Sequence, residues 1–196
     1  MMRASRTAGV PQKPSEMMLD EIRTLRVNGE PVPTLEEMLE ASRGKVTLLV
    51  ELKGETADRQ MADDAVRIIR ERHMTDETII ISLKYNLIEY VATMYPEIKT
   101  GYLAFASFGN TAMLNCDYLM LEEEVATDET ITNIHHVGKK VFVWTVNDKD
   151  DIRRFMRSEA DGIITDYVAE AEQIKQELES MTSLERMMEG ISNLIF

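Results

Sequence analysis

Apolar residues along this chain fall into two rhythms. Short continuous runs occur at 46–52 (VTLLVEL), 78–83 (TIIISL), 98–103 (IKTGYL), 117–121 (DYLML), 140–145 (KVFVWT) and 161–165 (DGIIT). Such runs, brief and rich in branched residues, predict strands buried on both faces. Between them the apolar positions recur at three- and four-residue intervals, predicting helices over 57–72, 86–94, about 107–114, 128–137, 148–158 and 166–180. Strands that alternate with helices, and that lack a polar face, predict a parallel α/β sheet.

The ends of the chain break this rhythm. Residues 1–16 are polar and irregular, and MMLDEIRTL (17–25) predicts a short helical turn. Asn28-Gly29, Pro31 and Pro33 mark a loop, after which Thr34 is placed to cap a helix with Glu37 three positions on, a capping-box spacing. In the tail 181–196, Met181, Leu184, Met187, Met188, Ile191 and Leu194 keep helical spacing. This predicts an amphipathic C-terminal helix packed on the outside of the domain, its polar face not basic enough for a membrane surface. The domain proper is expected over 17–180.

Six strand–helix units leave the architecture open. A closed (β/α) barrel needs eight, and an open nucleotide-binding sheet calls for a glycine-rich loop after its first strand, which this sequence does not have. The chain is an open α/β sheet or a barrel lacking two units. A hydrophobic content of 44% over 196 residues supports one sizeable core. A net charge of −13 without basic clusters argues against nucleic acid as a partner. Cys116 is the single cysteine, so there is no intrachain disulfide framework and no all-cysteine metal site. No apolar run approaches the roughly 20 residues of a membrane helix. The expectation is a soluble chain, cytoplasmic by default.

In a barrel, chemistry gathers at the C-terminal ends of the strands. Those ends carry Glu51 and Lys53, Ser82 and Lys84, Tyr102, Glu122–Glu124, Trp144 with Thr145 and Asn147, and Thr165 with Asp166. Glu51 and Lys53 lie two positions apart and so point to one face; they form either a salt-bridged strand end or the rim of an active site. The set suits an anionic substrate with a divalent metal, since carboxylates favour hard cations and ammonium groups neutralise phosphate oxygens. Plainer roles stand beside these: Lys84 as a solvated lysine at a helix start, the three glutamates as a solvated acidic loop, Thr165 and Asp166 as a cap for the next helix, and Trp144 as core. His73, His135 and His136 precede strands and so belong to the opposite, structural face, where none serves as acid or base.

EPVPTLEEMLE followed by LLVELKG resembles the glycerophosphodiester phosphodiesterase family, in which a Pro-Thr-Leu-x-Glu helix start leads to a strand ending Glu-x-Lys. GYL (101–103), GKKVFVWTVN (138–147) and ADGIITDY (160–167) match in the same order, over about 17–178. Bacterial versions fused behind multi-helix membrane regions are the nearest in pattern, which implies membrane association where such a region precedes the domain. The resemblance implies a (β/α)8 barrel and metal-dependent hydrolysis of glycerophosphodiesters to an alcohol and glycerol 3-phosphate. It implies Glu51 as a ligand of Mg2+ or Ca2+, Lys53 as a phosphate contact and Trp144 as a wall of the substrate pocket. The family's opening motifs, His-Arg-Gly, Glu-Asn, Glu-x-Asp and His-Asp, have no counterpart in position. The expectation is therefore an N-terminally truncated barrel of six units. Its acid–base histidines and two metal carboxylates are absent, it is inactive alone, and its open edge is a surface for a second copy of the chain. The competing expectation is a non-catalytic barrel remnant that acts as a binding or scaffold protein.

Overall fold

The computed structural model describes residues 12–104 and 111–181. They form two compact units, residues 12–103 with 112–118 and residues 104 and 111 with 119–181.

The first unit opens with a 3-10 turn at Pro14–Glu16 and a short helix α1 (Leu19–Thr24). The Asn-Gly dipeptide then makes a hairpin rather than a plain loop. Asn28 and Gly29 both take positive φ, 53° and 89°, and join β1 (Arg26–Val27) to β2 (Glu30–Pro31) in antiparallel pairing. Two left-handed residues at a two-residue turn match the twist of the flanking strands. Helix α2 (Leu35–Ser42) starts at the expected capping box. The Thr34 hydroxyl accepts from the Glu37 amide at 3.3 Å, and the Glu37 carboxylate accepts from the Thr34 amide at 2.9 Å.

Strand β3 (Leu48–Glu51) pairs in parallel with β4 (Thr78–Ser82), Leu48 opposite Thr78 and Glu51 opposite Ile81. β4 pairs in turn with β5 (Lys99–Ala104), Ile79 opposite Lys99. Every residue of β4 is buried, whereas every residue of β3 is half-buried. β3 has no second partner strand among the described residues. Helix α3 (Arg59–Glu71) buries Ala62, Ala65, Val66 and Ile69, and α4 (Tyr85–Met94) buries Leu87, Ile88 and Val91, so each turns one apolar stripe inward. Each fully buried isoleucine of this core, such as Ile69, Ile80 or Ile88, contributes about 1.5–3 kcal/mol by leaving water.

The second unit repeats the pattern with β6 (Tyr118–Glu122, its first residue counted with the first unit), α5 (Asp128–His136), β7 (Lys140–Trp144), α6 (Lys149–Arg157), β8 (Gly162–Ile163) and α7 (Val168–Ser180). β7 and β8 are parallel, with Phe142 opposite Gly162. Thr127 caps α5 and Asp148 caps α6 through their side-chain oxygens. The expected helix at 107–114 is, in its described part, a single 3-10 turn over Thr111–Met113; residues 105–110 lie outside the described residues. The expected tail helix lies outside them too, apart from Met181.

Candidate functional site

The first unit holds both Glu51 and Lys53. β3 ends at Glu51, and Leu52 continues the ladder by donating to the Ile81 carbonyl at 2.8 Å. Glu51 and Lys53 do share a face: the Lys53 ammonium lies 3.3 Å from Glu51 Oε2, with the glutamate side chain 29% exposed and the lysine 44%. Gly54 follows with φ +94°, a conformation that turns the chain away from the strand at no cost to a residue without Cβ.

β4 fastens this turn. The buried Ser82 hydroxyl donates to the Leu52 carbonyl at 2.7 Å and accepts from the Lys84 amide at 3.1 Å. The Lys84 ammonium donates to the carbonyls of Ala57 at 2.6 Å and Glu55 at 3.3 Å. Lys84 is therefore not the solvated helix-start lysine that its position suggests. It is half-buried and ties down the loop that presents Lys53. The reason is topological: parallel pairing sets the ends of neighbouring strands side by side, so a side chain after β4 reaches the loop after β3.

Beside the pair lies a cavity of about 340 Å³, lined among others by Lys13, Ser15, Lys53, Glu55, Thr56 and Met61. Lys13 comes from the polar N-terminal segment and meets Glu55 Oε2 at 3.6 Å. No periodicity or motif in the sequence singles Lys13 out, because an irregular segment has no pattern to read.

The other strand ends behave differently. Tyr102, on β5, meets Tyr85 edge-on with ring centroids 5.3 Å apart. In the second unit, Trp144 is half-buried and its indole N–H donates to the Met120 carbonyl at 2.7 Å. The structure thus brings Glu51 and Lys53 together within one unit and holds Trp144 in the other. Glu123–Val125 form a 3-10 turn. Thr165 and Asp166 do not supply the N-cap of α7, which is Tyr167 and makes no side-chain cap hydrogen bond. They bind Asn147, and Thr165 Oγ1 also accepts from the Tyr167 amide at 3.0 Å. Thr165 Oγ1 donates to Asn147 Oδ1 at 3.2 Å, the Asp166 amide donates to the same oxygen at 3.0 Å, and Asn147 Nδ2 donates to Asp166 Oδ2 at 2.9 Å. The histidines sit where the order of elements predicts. His73 follows α3 before β4, and His135 and His136 end α5 before β7. His135 Nε2 lies 2.9 Å from Asp161 Oδ2, which also accepts from the Val141 amide at 2.8 Å.

The sequence matches the glycerophosphoryl diester phosphodiesterase family over residues 3–170. The chain belongs to that family. It is 25% identical over 146 residues to the Bacillus subtilis protein YhdW, covering 71% of this chain and 60% of that one. It is 26% identical over 170 residues to a glycerophosphodiester phosphodiesterase of Caldanaerobacter subterraneus, covering 77% and 68%. The chain thus spans about three-fifths to two-thirds of the curated relatives it matches. An Oleispira antarctica phosphodiesterase, solved with the product sn-glycerol-3-phosphate, superposes with a TM-score of 0.79 at 22% identity, over 90% of this chain and 76% of that one. The fold is therefore that of a glycerophosphodiester phosphodiesterase (β/α) barrel, present here as an incomplete set of strand–helix units, and the open α/β alternative is set aside.

Family membership makes a divalent metal the natural cofactor to test against these residues. Magnesium and calcium take six or more oxygen ligands, several of them carboxylates or water. Among the described residues no three His, Cys, Asp or Glu side chains gather into a metal-holding group. Glu51 supplies one carboxylate, and Lys53 already occupies one of its oxygens.

Proposed function

We propose that this chain is a glycerophosphodiester phosphodiesterase-like protein whose described residues recognise the phosphodiester but do not supply acid–base chemistry. The observation that carries the reading is the Glu51–Lys53 pair at the end of β3, inside the stretch that matches the family, with Lys53 lining a neighbouring cavity. Lys53 offers a compact positive charge to a phosphate oxygen. Glu51 offers one oxygen donor to Mg2+ or Ca2+, and Trp144 an apolar wall. Hydrolysis to an alcohol and glycerol 3-phosphate needs a proton donor and acceptor within hydrogen-bond reach of the reacting oxygens, and His73, His135 and His136 all sit where helices lead into strands rather than at strand C-terminal ends. The isolated chain is therefore inactive, and hydrolysis belongs to a protein that brings the remaining groups.

The test is paired. Glycerophosphodiester turnover by the chain with Mg2+ or Ca2+ should stay at background, while sn-glycerol 3-phosphate should bind and lose affinity in Lys53→Ala. Robust turnover that disappears in Glu51→Gln would show that the chain carries a complete catalytic centre. A second reading, a non-catalytic binding or scaffold protein, draws on the same ion pair, because Glu51 held by Lys53 needs no cation. It predicts product binding that Mg2+, Ca2+ and a chelator all leave alone. Association through the β3 edge, and attachment to a membrane through a region outside this chain, are further parts of the proposal.

A further inference from the structure

The cavity beside Lys53 has a second ammonium that the reading above does not use. In a chain of net charge −13, Lys13 and Lys53 both line one space of about 340 Å³ together with the hydroxyl-bearing Ser15 and Thr56. Each ammonium has a carboxylate beside it, Lys13 with Glu55 at 3.6 Å and Lys53 with Glu51 at 3.3 Å. The two pairs differ in exposure. Glu55 is 77% exposed while Lys13 is 30% exposed, so the cation is anchored and its anion is free to swing into water. An ion pair of that kind is weak and easily exchanged. The Glu55 carboxylate marks where an anionic group can sit against Lys13.

We propose that this cavity is a second anion subsite: with Lys53 on the phosphodiester, Lys13 takes a further phosphate or carboxylate carried by the alcohol portion of the ligand, displacing Glu55. The proposal rests on the phosphodiester reading of Lys53. The loop that follows Lys53 is held by a residue outside the cavity lining, since Lys84 binds the Glu55 and Ala57 carbonyls. The Glu55 side chain can therefore leave without disturbing the backbone. Met61 and Pro14 supply apolar flanks against which the carbon skeleton of a head group can lie. A quaternary ammonium head group would meet Lys13 as a like charge and be disfavoured.

Two ligands that differ by one phosphate isolate the effect: sn-glycero-3-phosphoinositol and its 4-phosphate, titrated calorimetrically against the wild-type chain. The wild type should prefer the 4-phosphate by about fivefold, the scale of one partly exposed ion pair, and the preference should shrink with added salt. Lys13→Ala should bring the ratio of the two affinities close to one. Glu55→Gln, which removes the competing carboxylate and keeps the loop, should raise it above the wild-type value. These opposite signs are not what a merely unfolded variant gives, and far-ultraviolet circular dichroism checks folding in each case. Binding of both ligands with one ratio in all three proteins would overturn the subsite and leave the function of Lys53 standing. Binding of neither ligand by the wild type would overturn both.

Discussion

The Lys84 ammonium shows how far a single side chain can act from the group it serves. It touches neither Glu51 nor Lys53, yet its bonds to the Ala57 and Glu55 carbonyls set the loop on which Lys53 stands. Lys84→Met keeps the stem of the side chain and removes both bonds. It should cost about 1–3 kcal/mol, the loss of charge-assisted contacts of which the one to Ala57 is part-buried, read from urea denaturation. It should also weaken sn-glycerol 3-phosphate binding, and unchanged product affinity would mean that the loop holds its shape without the lysine. A second residue-scale network joins α3 to α4. The hydroxyls of Tyr90 and Tyr95 both donate to Asp63 Oδ1, at 2.9 and 2.7 Å, while the Arg59 and Arg70 guanidinium groups lie over the two rings. Donation to a carboxylate favours the neutral phenol, and with lesser help from burial it pushes the Tyr95 pKa from 10.0 up to about 12. A raised tyrosine pKa means that this contribution to stability is fully present below pH 10 and is lost as the pH rises through about 12. Spectrophotometric titration of the phenols should show Tyr95 ionising late, and Asp63→Asn should bring it down toward the ordinary value.

Elements follow from sequence where their signals are local. The Thr34–Glu37 capping box is written at fixed spacing, and both of its hydrogen bonds form. Thr34→Ala should destabilise the chain by about 1 kcal/mol in urea, the usual worth of an N-cap hydroxyl, while Thr34→Ser should restore nearly all of it. The apolar runs located all six parallel strands to within a few residues, because a continuous apolar run leaves no polar alternation to confuse it; VTLLVEL yields β3 at Leu48–Glu51 and KVFVWT yields β7 at Lys140–Trp144. What stayed hidden depended on tertiary placement. Lys84 at the start of α4 looks like any solvated lysine until parallel pairing puts it beside the β3 loop. Thr165 and Asp166 carry cap-forming side chains, but both bond Asn147 from the neighbouring strand end, and the Thr165 hydroxyl accepts only from the Tyr167 amide, one residue short of α7. Asn28-Gly29, expected as part of a loop, makes a hairpin instead, and its strands are only two residues long, β2 ending at Pro31 with Pro33 close behind. Of the site itself, the Glu51–Lys53 pairing could be read from spacing, whereas Lys13 could not, since its place depends on where an irregular segment comes to rest.

At the scale of the whole molecule, the half-buried β3 sets apolar surface against net charge. Its sequence is that of a strand meant for burial on both faces, yet all four residues remain half-buried, Val46 just before it is 61% exposed, and β3 pairs on one side only among the described residues. Such an edge offers unpaired backbone groups and apolar area to another strand. Opposing it is a charge of −13, which makes two copies repel at long range. The balance should therefore shift with salt. Raising KCl from about 20 mM to about 300 mM shortens the screening length from ~20 Å to ~6 Å, weakening the repulsion while leaving apolar contact in place. Sedimentation velocity should show the chain associating more at the higher salt. Val46→Lys places a charge beside the edge and should move the distribution back toward monomer at both salts, without loss of helical circular dichroism, because the residue is largely in water. The same exposed edge predicts modest stability for the isolated chain. A salt-independent monomer that melts in one sharp transition above about 65 °C, beyond the usual range for mesophilic domains, would mean that β3 is sufficiently covered as it stands.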